Sequence, residues 1–150
     1  MTGKHSAGIL VFRGDEVLLG HMGGPFWSRR DVGGWSVPKG EYDPDEEPEA
    51  AARREFAEEL GVAAPTGELV ALGSARQSGG KVVTVWAVEG DLDPERVVPG
   101  TFTMEWPRGS GRFREFPELD RVAWFDLDRA REKILAGQRV FLDRLAERLA

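Results

Sequence analysis

The sequence predicts an α/β protein in which a mixed β-sheet packs against helices. Two observations support this prediction: apolar runs of strand length alternate with helical patterns, and their order is strands, helix, strands and then helices. The 150 residues suit one compact core, so we expect a single domain spanning residues 1–150.

Residues 6–12 and 16–19 predict the first two strands, joined by a short turn. Two Gly-Gly pairs and a proline predict a long loop over residues 21–34, and residues 35–38 predict a short strand. Long loops that carry aromatic and basic residues are often functional, so we expect residues 21–34 to contribute to a site.

The first helix is predicted to begin near Asp45. Asp43 or Asp45 can cap it, Pro48 is tolerated in its first turn, and Gly61 ends it. Its buried side is expected to be the apolar stripe Ala52, Phe56 and Leu60.

The remainder of the chain predicts three more strands, two further helices and an irregular segment, and a hairpin turn at Gln77–Gly80 joins the first two of these strands. The predicted elements are strands at 68–75, 81–88 and 121–125, a polar connection at 91–100, an irregular segment at 102–118, a helix capped by Asp126 that runs to Ala136 and ends at Gly137, and a helix at 140–149.

Composition narrows the function. The absence of cysteine excludes disulfides, thiol catalysis and cysteine-ligated zinc. The formal net charge of −6 argues against nonspecific nucleic-acid binding, although a metal or a basic loop can reverse the charge locally. No apolar run approaches membrane-spanning length, and residues 1–6 lack an apolar export signal. We therefore expect a cytoplasmic protein with no membrane partner, and either a monomer or a homodimer.

Three glutamates near the end of the first helix, Glu55, Glu58 and Glu59, stand at i, i+3 and i+4 and share one face. Three like charges cost stability unless a cation lies among them, although a solvated face with i, i+4 ion pairs is the alternative. Mg²⁺ prefers a few carboxylates together with substrate phosphates. A metal held in this way neutralises phosphate charge and activates water, so this face indicates phosphate-transfer chemistry.

The stretch from Gly40 to Val62, which contains these glutamates, resembles the Nudix box. The box is a glycine, five residues, Glu, seven residues, Arg-Glu, an aliphatic, any residue, Glu-Glu, any residue, Gly and an aliphatic. Phe56 departs from the pattern but keeps an apolar side chain at the aliphatic position. The matching residues are Gly40, Glu46, Arg54, Glu55, Glu58, Glu59, Gly61 and Val62. The resemblance implies the Nudix α/β/α sandwich with a mixed sheet, and hydrolysis of a diphosphate linkage.

The resemblance also implies roles. Mg²⁺, with Mn²⁺ as a substitute, would be held by Glu55, Glu58, Glu59 and the carbonyl of Gly40. Arg54 would orient a carboxylate, Glu46 would support it or act as a base, and the general base is Glu58, Glu55 or a glutamate outside the box. Glu118 resembles the additional acid that family members use, and Glu115 competes with it for that role.

Residues that could bind the substrate flank the box. Phe26 and Trp27 can stack on a base or can instead cover the core. Arg29, Lys39 and Arg112 can bind a polyphosphate, or the arginines can be solvated. The sequence Pro38-Lys39-Gly40 resembles the same segment of dinucleoside polyphosphate hydrolases, in which the lysine contacts phosphate.

We therefore expect a Mg²⁺-dependent pyrophosphohydrolase that acts on a small phosphorylated nucleotide. A nucleoside triphosphate or a dinucleoside polyphosphate would yield a mononucleotide and a phosphate-containing product. A non-catalytic, nucleotide-binding regulatory domain is the alternative. An RNA 5′-pyrophosphohydrolase is a third reading, which net acidity and Lys39 disfavour.

Overall fold

A computed structural model describes residues 4–150. Residues 1–3, which form half of the segment expected to lack an export signal, lie outside the described residues. Within residues 4–150 the strands are β1 (His5–Arg13), β2 (Glu16–Met22), β3 (Trp35–Ser36), β4 (Lys39–Glu41), β5 (Val70–Arg76), β6 (Val82–Glu89), β7 (Thr101–Glu105), β8 (Phe113–Pro117) and β9 (Leu119–Asp126). The helices are α1 (Pro48–Leu60), α2 (Leu127–Lys133) and α3 (Arg139–Leu149).

The main sheet is mixed, and its strand order is β3-β2-β1-β6-β5, with β9 paired to β2. Strand β1 runs parallel to β6, whereas β1–β2, β2–β9 and β5–β6 are antiparallel. The two parallel strands lie at the centre, where both faces of the sheet are covered.

Strands β1 and β2 separate soon after the turn that joins them. They pair only through Phe12–Arg13 and Glu16–Val17. Further along, Ser6–Gly8 of β1 pairs with β4, and Gly20–His21 of β2 pairs with β3. The short strands β3 and β4 therefore occupy the space between β1 and β2, and this opening positions the site.

Helices cover both faces of the main sheet because side chains of β1 alternate between the faces. On one face, Ala7, Ile9 and Val11 pack with Phe56 and Leu60 of α1. On the other face lie Leu10, Phe12, Phe141, Leu142 and Leu145. The predicted α/β/α sandwich with a mixed sheet is confirmed.

Helix α1 begins at Pro48, so the prediction of a start near Asp45 was wrong. Glu47 is the N-cap, and no side chain caps the helix. The cause is Pro48, since a residue that precedes proline is pushed out of the helical region, and Glu47 is extended (φ −68°, ψ 129°). Gly61 ends the helix as predicted, in a left-handed conformation (φ 69°).

Residues 102–118 are not irregular as predicted, because β7 and β8 pair as an antiparallel two-stranded sheet, which we call the ribbon. The Glu105 carboxylate accepts hydrogen bonds from the N–H groups of Gly109 (2.8 Å) and Gly111 (3.1 Å), and these bonds organise the turn. Both glycines have positive φ.

The predicted helix after Asp126 ends at Lys133 rather than at Ala136. Asp126 caps it as predicted, and its carboxylate accepts from the N–H of Arg129 at 2.8 Å. The helix stops because Ile134 is extended and forms a bridge to Trp35. Within residues 4–150, no helix is both long and apolar enough to cross a membrane.

Candidate active site

A cleft opens where β1 and β2 separate. A cavity of about 310 Å³ lies there, lined by Gly40 of β4, Glu55 and Glu59 of α1, and Glu118 before β9. A second cavity of about 140 Å³ shares these three glutamates and adds Glu58. Four carboxylates from two distant segments thus line one cleft, which we call the acidic cleft: Glu55, Glu58, Glu59 and Glu118.

Helix α1 presents its glutamates because its other side is anchored. Ala52, Phe56 and Leu60 are fully buried, so the adjacent face meets the cleft. The side chain of Glu55 is 12% exposed and that of Glu58 is 58% exposed. The last turn carries no basic residue. Negative charge at the carboxyl end of a helix opposes the helix dipole, so this placement costs stability.

Arg54 connects the acidic cleft to Glu46. It donates two hydrogen bonds to the Glu46 carboxylate, from Nε (2.7 Å) and from Nη2 (2.8 Å). Its Nη1 donates to Glu55 at 2.8 Å and to Glu58 at 3.1 Å. The bonds with Arg54 lower the pKa of Glu46, and the bond with Glu46 is the largest cause of a raised pKa at Arg54. Arg54 therefore fixes the orientation of two cleft carboxylates.

The carboxylates of the cleft are difficult to ionise together. Burial raises the pKa of Glu59 to about 8, with further contributions from the charges of Glu118 and Glu55. Burial is also the largest cause of the raised pKa values of Glu55 and Glu118. Crowded acids in a partly buried cleft are a common property of functional sites.

Gly40 is placed against Glu55. A Cβ atom at this position would overlap the Glu55 carboxyl group. The absence of a side chain thus lets the backbone of β4 approach the acid directly. Gly40 faces α1 because β4 pairs with β1 in a register that sets Gly40 opposite Ala7.

Two lysines line the same cavity, Lys39 on β4 and Lys81 directly before β6. Burial is the largest cause of a lowered pKa at Lys39, and the nearby charge of Lys81 adds to it. The cavity is therefore lined by cations as well as by acids. Lys81 was not identified from the sequence, because nothing in its local pattern shows that β6 pairs in parallel with β1.

The donor set of the cleft fits a hard divalent cation. Carboxylate oxygens are the ligands that Mg²⁺ and Mn²⁺ prefer. Burial is the largest cause of the raised pKa of Glu59, and the repulsion by Glu118 and Glu55 that adds to it is what a cation would relieve. Within residues 4–150, no group of three or more His, Asp or Glu side chains is already arranged as a metal site. Glu55 and Glu58 instead accept hydrogen bonds from Arg54.

The two candidates for an additional acid are separated by the structure. Glu118 lines both cavities, and its N–H donates to the carbonyl of Gly100 at 2.8 Å. Glu115 is exposed on the ribbon, where it pairs with Thr103, and it lines neither cavity. Position therefore favours Glu118.

The other residues expected to bind substrate lie outside the lining of the two cavities: Phe26, Trp27, Arg29 and Arg112. Phe26 is 71% exposed, and the Arg30 guanidinium lies 5.7 Å from the centre of the Trp27 ring. Arg112 is exposed near the tip of the ribbon. Their predicted roles stay predictions.

A second group of charged residues, which we call the His21 cluster, holds the loop after β2. His21 is fully buried; its Nδ1 donates to Asp120 (2.8 Å) and its Nε2 to the carbonyl of Arg30 (2.5 Å). Asp31 accepts from Trp35 Nε1 (3.0 Å) and pairs with Lys133. The cluster comprises His21, Arg30, Asp31, Trp35, Asp120 and Lys133.

Comparison with known proteins agrees with this geometry. The family model described as "NUDIX domain" matches residues 4–145. No curated protein matches the sequence. The chain therefore belongs to the Nudix hydrolase family, whose members generally use divalent metal ions.

Solved structures share the fold at low identity. An Ap4A hydrolase of C. elegans, in a binary complex, has a TM-score of 0.67 at 22% identity over 96% of this chain and 97% of that one. The MutT protein of Methanosarcina mazei Go1 gives 0.68 at 21% identity over 98% and 95%. The NUDIX domain of Shewanella oneidensis NrtR, complexed with ADP ribose, gives 0.65 at 19% identity over 100% and 90%.

Proposed function

We propose that this protein is a Mg²⁺-dependent pyrophosphohydrolase. It hydrolyses a diphosphate linkage in a nucleoside triphosphate or a dinucleoside polyphosphate and releases a mononucleotide. The observation that supports this proposal most directly is the acidic cleft itself: four carboxylates, three of them within an intact Nudix box, converge beside the partly buried Lys39.

The residues of the cleft have different roles in this proposal. Glu55, Glu58, Glu59, Glu118 and the carbonyl of Gly40 would hold the metal, which would neutralise phosphate charge and lower the pKa of a water. Lys39 binds the phosphate chain and offsets part of its charge. Arg54, anchored on Glu46, keeps Glu55 and Glu58 in one orientation.

The proton of the attacking water goes to a carboxylate, and we assign this role to Glu58. The two candidates in the box are Glu55 and Glu58. The side chain of Glu58 is 58% exposed, whereas that of Glu55 is 12% exposed. A base needs access to solvent water and to the substrate, whereas Glu55 lies against Gly40.

The test is hydrolysis of a substrate panel with identification of the products. Nucleoside triphosphates, dinucleoside polyphosphates, ADP-ribose and capped RNA would be offered with Mg²⁺, and with Mn²⁺ in parallel. Glu58→Gln should lower kcat by at least about 100-fold while the urea unfolding midpoint stays near that of the wild type. Wild-type activity in Glu58→Gln would refute the assignment of Glu58.

A non-catalytic nucleotide sensor is the alternative, and the likeness to the ADP ribose-bound domain of NrtR gives it a specific basis. Binding of a panel nucleotide without release of any product would favour the sensor over the hydrolase.

A further inference from the structure

Two lysines, Lys39 and Lys81, line the 310 Å³ cavity together with the acids of the cleft. Along β1, Lys39 pairs opposite Gly8 and Glu41 opposite Ser6, whereas Val82 pairs opposite His5 on the other side. The backbone of Lys81 thus lies beyond that of Lys39, further from the centre of the sheet. Both side chains nevertheless line the 310 Å³ cavity, so Lys81 reaches back toward Lys39.

Lys81 has one weak ion pair, and Lys39 has no carboxylate within ion-pair distance among residues 4–150. Lys81 Nζ lies 3.6 Å from Glu41 Oε1, and both side chains are about half exposed (53% and 49%), a pairing that contributes little. Among residues 4–150, no carboxylate oxygen lies within 4.0 Å of Lys39 Nζ. Two neighbouring ammonium groups without a strong internal counterion suit an anion supplied from outside.

The lining of this cavity suits phosphate rather than a nucleobase. Its polar residues include Ser6 and Ser36, and none of its lining residues is a phenylalanine, tyrosine or tryptophan on which a base could stack. The acids Glu41, Glu55, Glu59 and Glu118 line this cavity together with the two lysines. A ligand that reaches from the acids to Lys81 needs negative charge along its length.

We propose that Lys81 is a specificity residue which, with Lys39, binds a phosphate beyond the two that form the cleaved linkage. Chains of three or more phosphates are then preferred over diphosphates such as ADP-ribose. This inference rests on the proposed hydrolase function, because it takes the glutamates of the acidic cleft as the place where the linkage is cleaved.

The chain offers a matched control. Lys4 also pairs with Glu41, at 3.8 Å, and its side chain is 70% exposed, but Lys4 does not line the cavity. Replacing Lys4 or Lys81 by alanine removes one weak ion pair with Glu41 in either case. Only Lys81→Ala removes a cation from the cavity.

The first experiment is calorimetry with Mg²⁺, in which inorganic tripolyphosphate and pyrophosphate are compared. Lys81→Ala should weaken tripolyphosphate binding about tenfold and leave pyrophosphate binding nearly unchanged, Lys81→Arg should restore most of the difference, and Lys4→Ala should behave as wild type. Equal losses for the two anions, or the same loss in Lys4→Ala, would overturn the proposal.

The second experiment separates this inference from the proposed hydrolase function. In turnover, Lys81→Ala should raise KM for a nucleoside triphosphate about tenfold with kcat nearly unchanged, and should leave KM for ADP-ribose nearly unchanged. A wild-type protein that cleaves nothing but keeps the calorimetric pattern would refute the hydrolase and support the phosphate subsite. Normal turnover with no difference between Lys81→Ala and wild type would refute the subsite alone.

Discussion

The acidic cleft and the His21 cluster use the same kinds of side chain in opposite ways. In the His21 cluster the acids meet partners: Asp120 accepts a hydrogen bond from His21, and Asp31 pairs with Lys133. In the acidic cleft, burial raises the pKa of Glu59 to about 8, and the charges of Glu118 and Glu55 add to this shift. The comparison teaches that paired charges hold a loop in place, whereas crowded carboxylates repel one another and favour the binding of a cation.

The largest effect is expected where a paired, buried group is removed. His21→Ala deletes two hydrogen bonds and leaves a cavity next to Trp35, so the unfolding free energy should fall by about 3 kcal/mol. Urea denaturation measures this change. His5→Ala is the matched control, because the second histidine of the chain is exposed. Similar losses in both variants would contradict the role given to the His21 cluster.

Removal of Arg54, which orders the acidic cleft, should affect activity more than stability. Arg54→Ala frees Glu55 and Glu58 to move, and kcat/KM should fall by about 10- to 100-fold. Arg53→Ala is the control. Arg53 is the preceding residue, and its guanidinium donates to the carbonyls of Pro65 and Gly67 rather than to the acids of the cleft. Equal activity in the two variants would show that orientation by Arg54 is unimportant.

The crowding in the acidic cleft predicts an unusual pH dependence for the metal-free protein. Because the folded-state pKa of Glu59 is raised to about 8 from an ordinary value of 4.5, folding favours its protonated form. The unfolding free energy should therefore rise as pH falls from about 8 toward 4.5. Urea titrations in chelator at several pH values test this, and Glu59→Gln should flatten the curve. A wild-type profile as flat as that of the variant would contradict the prediction.

The smallest effect is expected at Asp31, where the unfolding free energy should fall, rather than rise, as the pH falls. The hydrogen bond with Lys133 is the largest cause of its lowered pKa, and Trp35 adds a second bond. Its stabilising contribution should be complete above its ordinary pKa of 3.8 and be lost as pH falls through the lower folded value. Thermal melts of Asp31→Asn should therefore lie slightly below wild type at pH 6 and coincide with it in strong acid. A gap that persists in acid would exclude this charge effect.

The parts of the fold that sequence predicted are those with local causes. The helical spacing of Ala52, Phe56 and Leu60 placed Phe56 in the core, a glycine after the last helical residue placed the helix end at Gly61, and both predictions are confirmed. The start of α1 was predicted wrongly because Pro48 keeps Glu47 extended, and this effect outweighs the capping capacity of Asp45. The ribbon was missed because its turn depends on Glu105 accepting hydrogen bonds from Gly109 and Gly111.

The parts of the site that sequence missed depend on contacts between distant segments. The cluster of Glu55, Glu58 and Glu59 follows from helical spacing alone. The presence of Lys81 depends on parallel pairing of β6 with β1, and the role of His21 depends on Asp120 of β9. Such pairings have no local sequence signal, so a lysine after a hairpin turn and a histidine in a strand gave no indication of their positions.

The contact between Gly40 and Glu55 limits how this sequence can change over generations. Gly40 has no positive φ, so the backbone itself accepts any residue; the restriction is the space that the Glu55 carboxyl group takes. Positions 40 and 55 are therefore expected to vary as a pair rather than singly. A lineage that acquires alanine at 40 needs a shorter acid at 55, and a selection experiment on Gly40→Ala should recover Glu55→Asp as a compensating change.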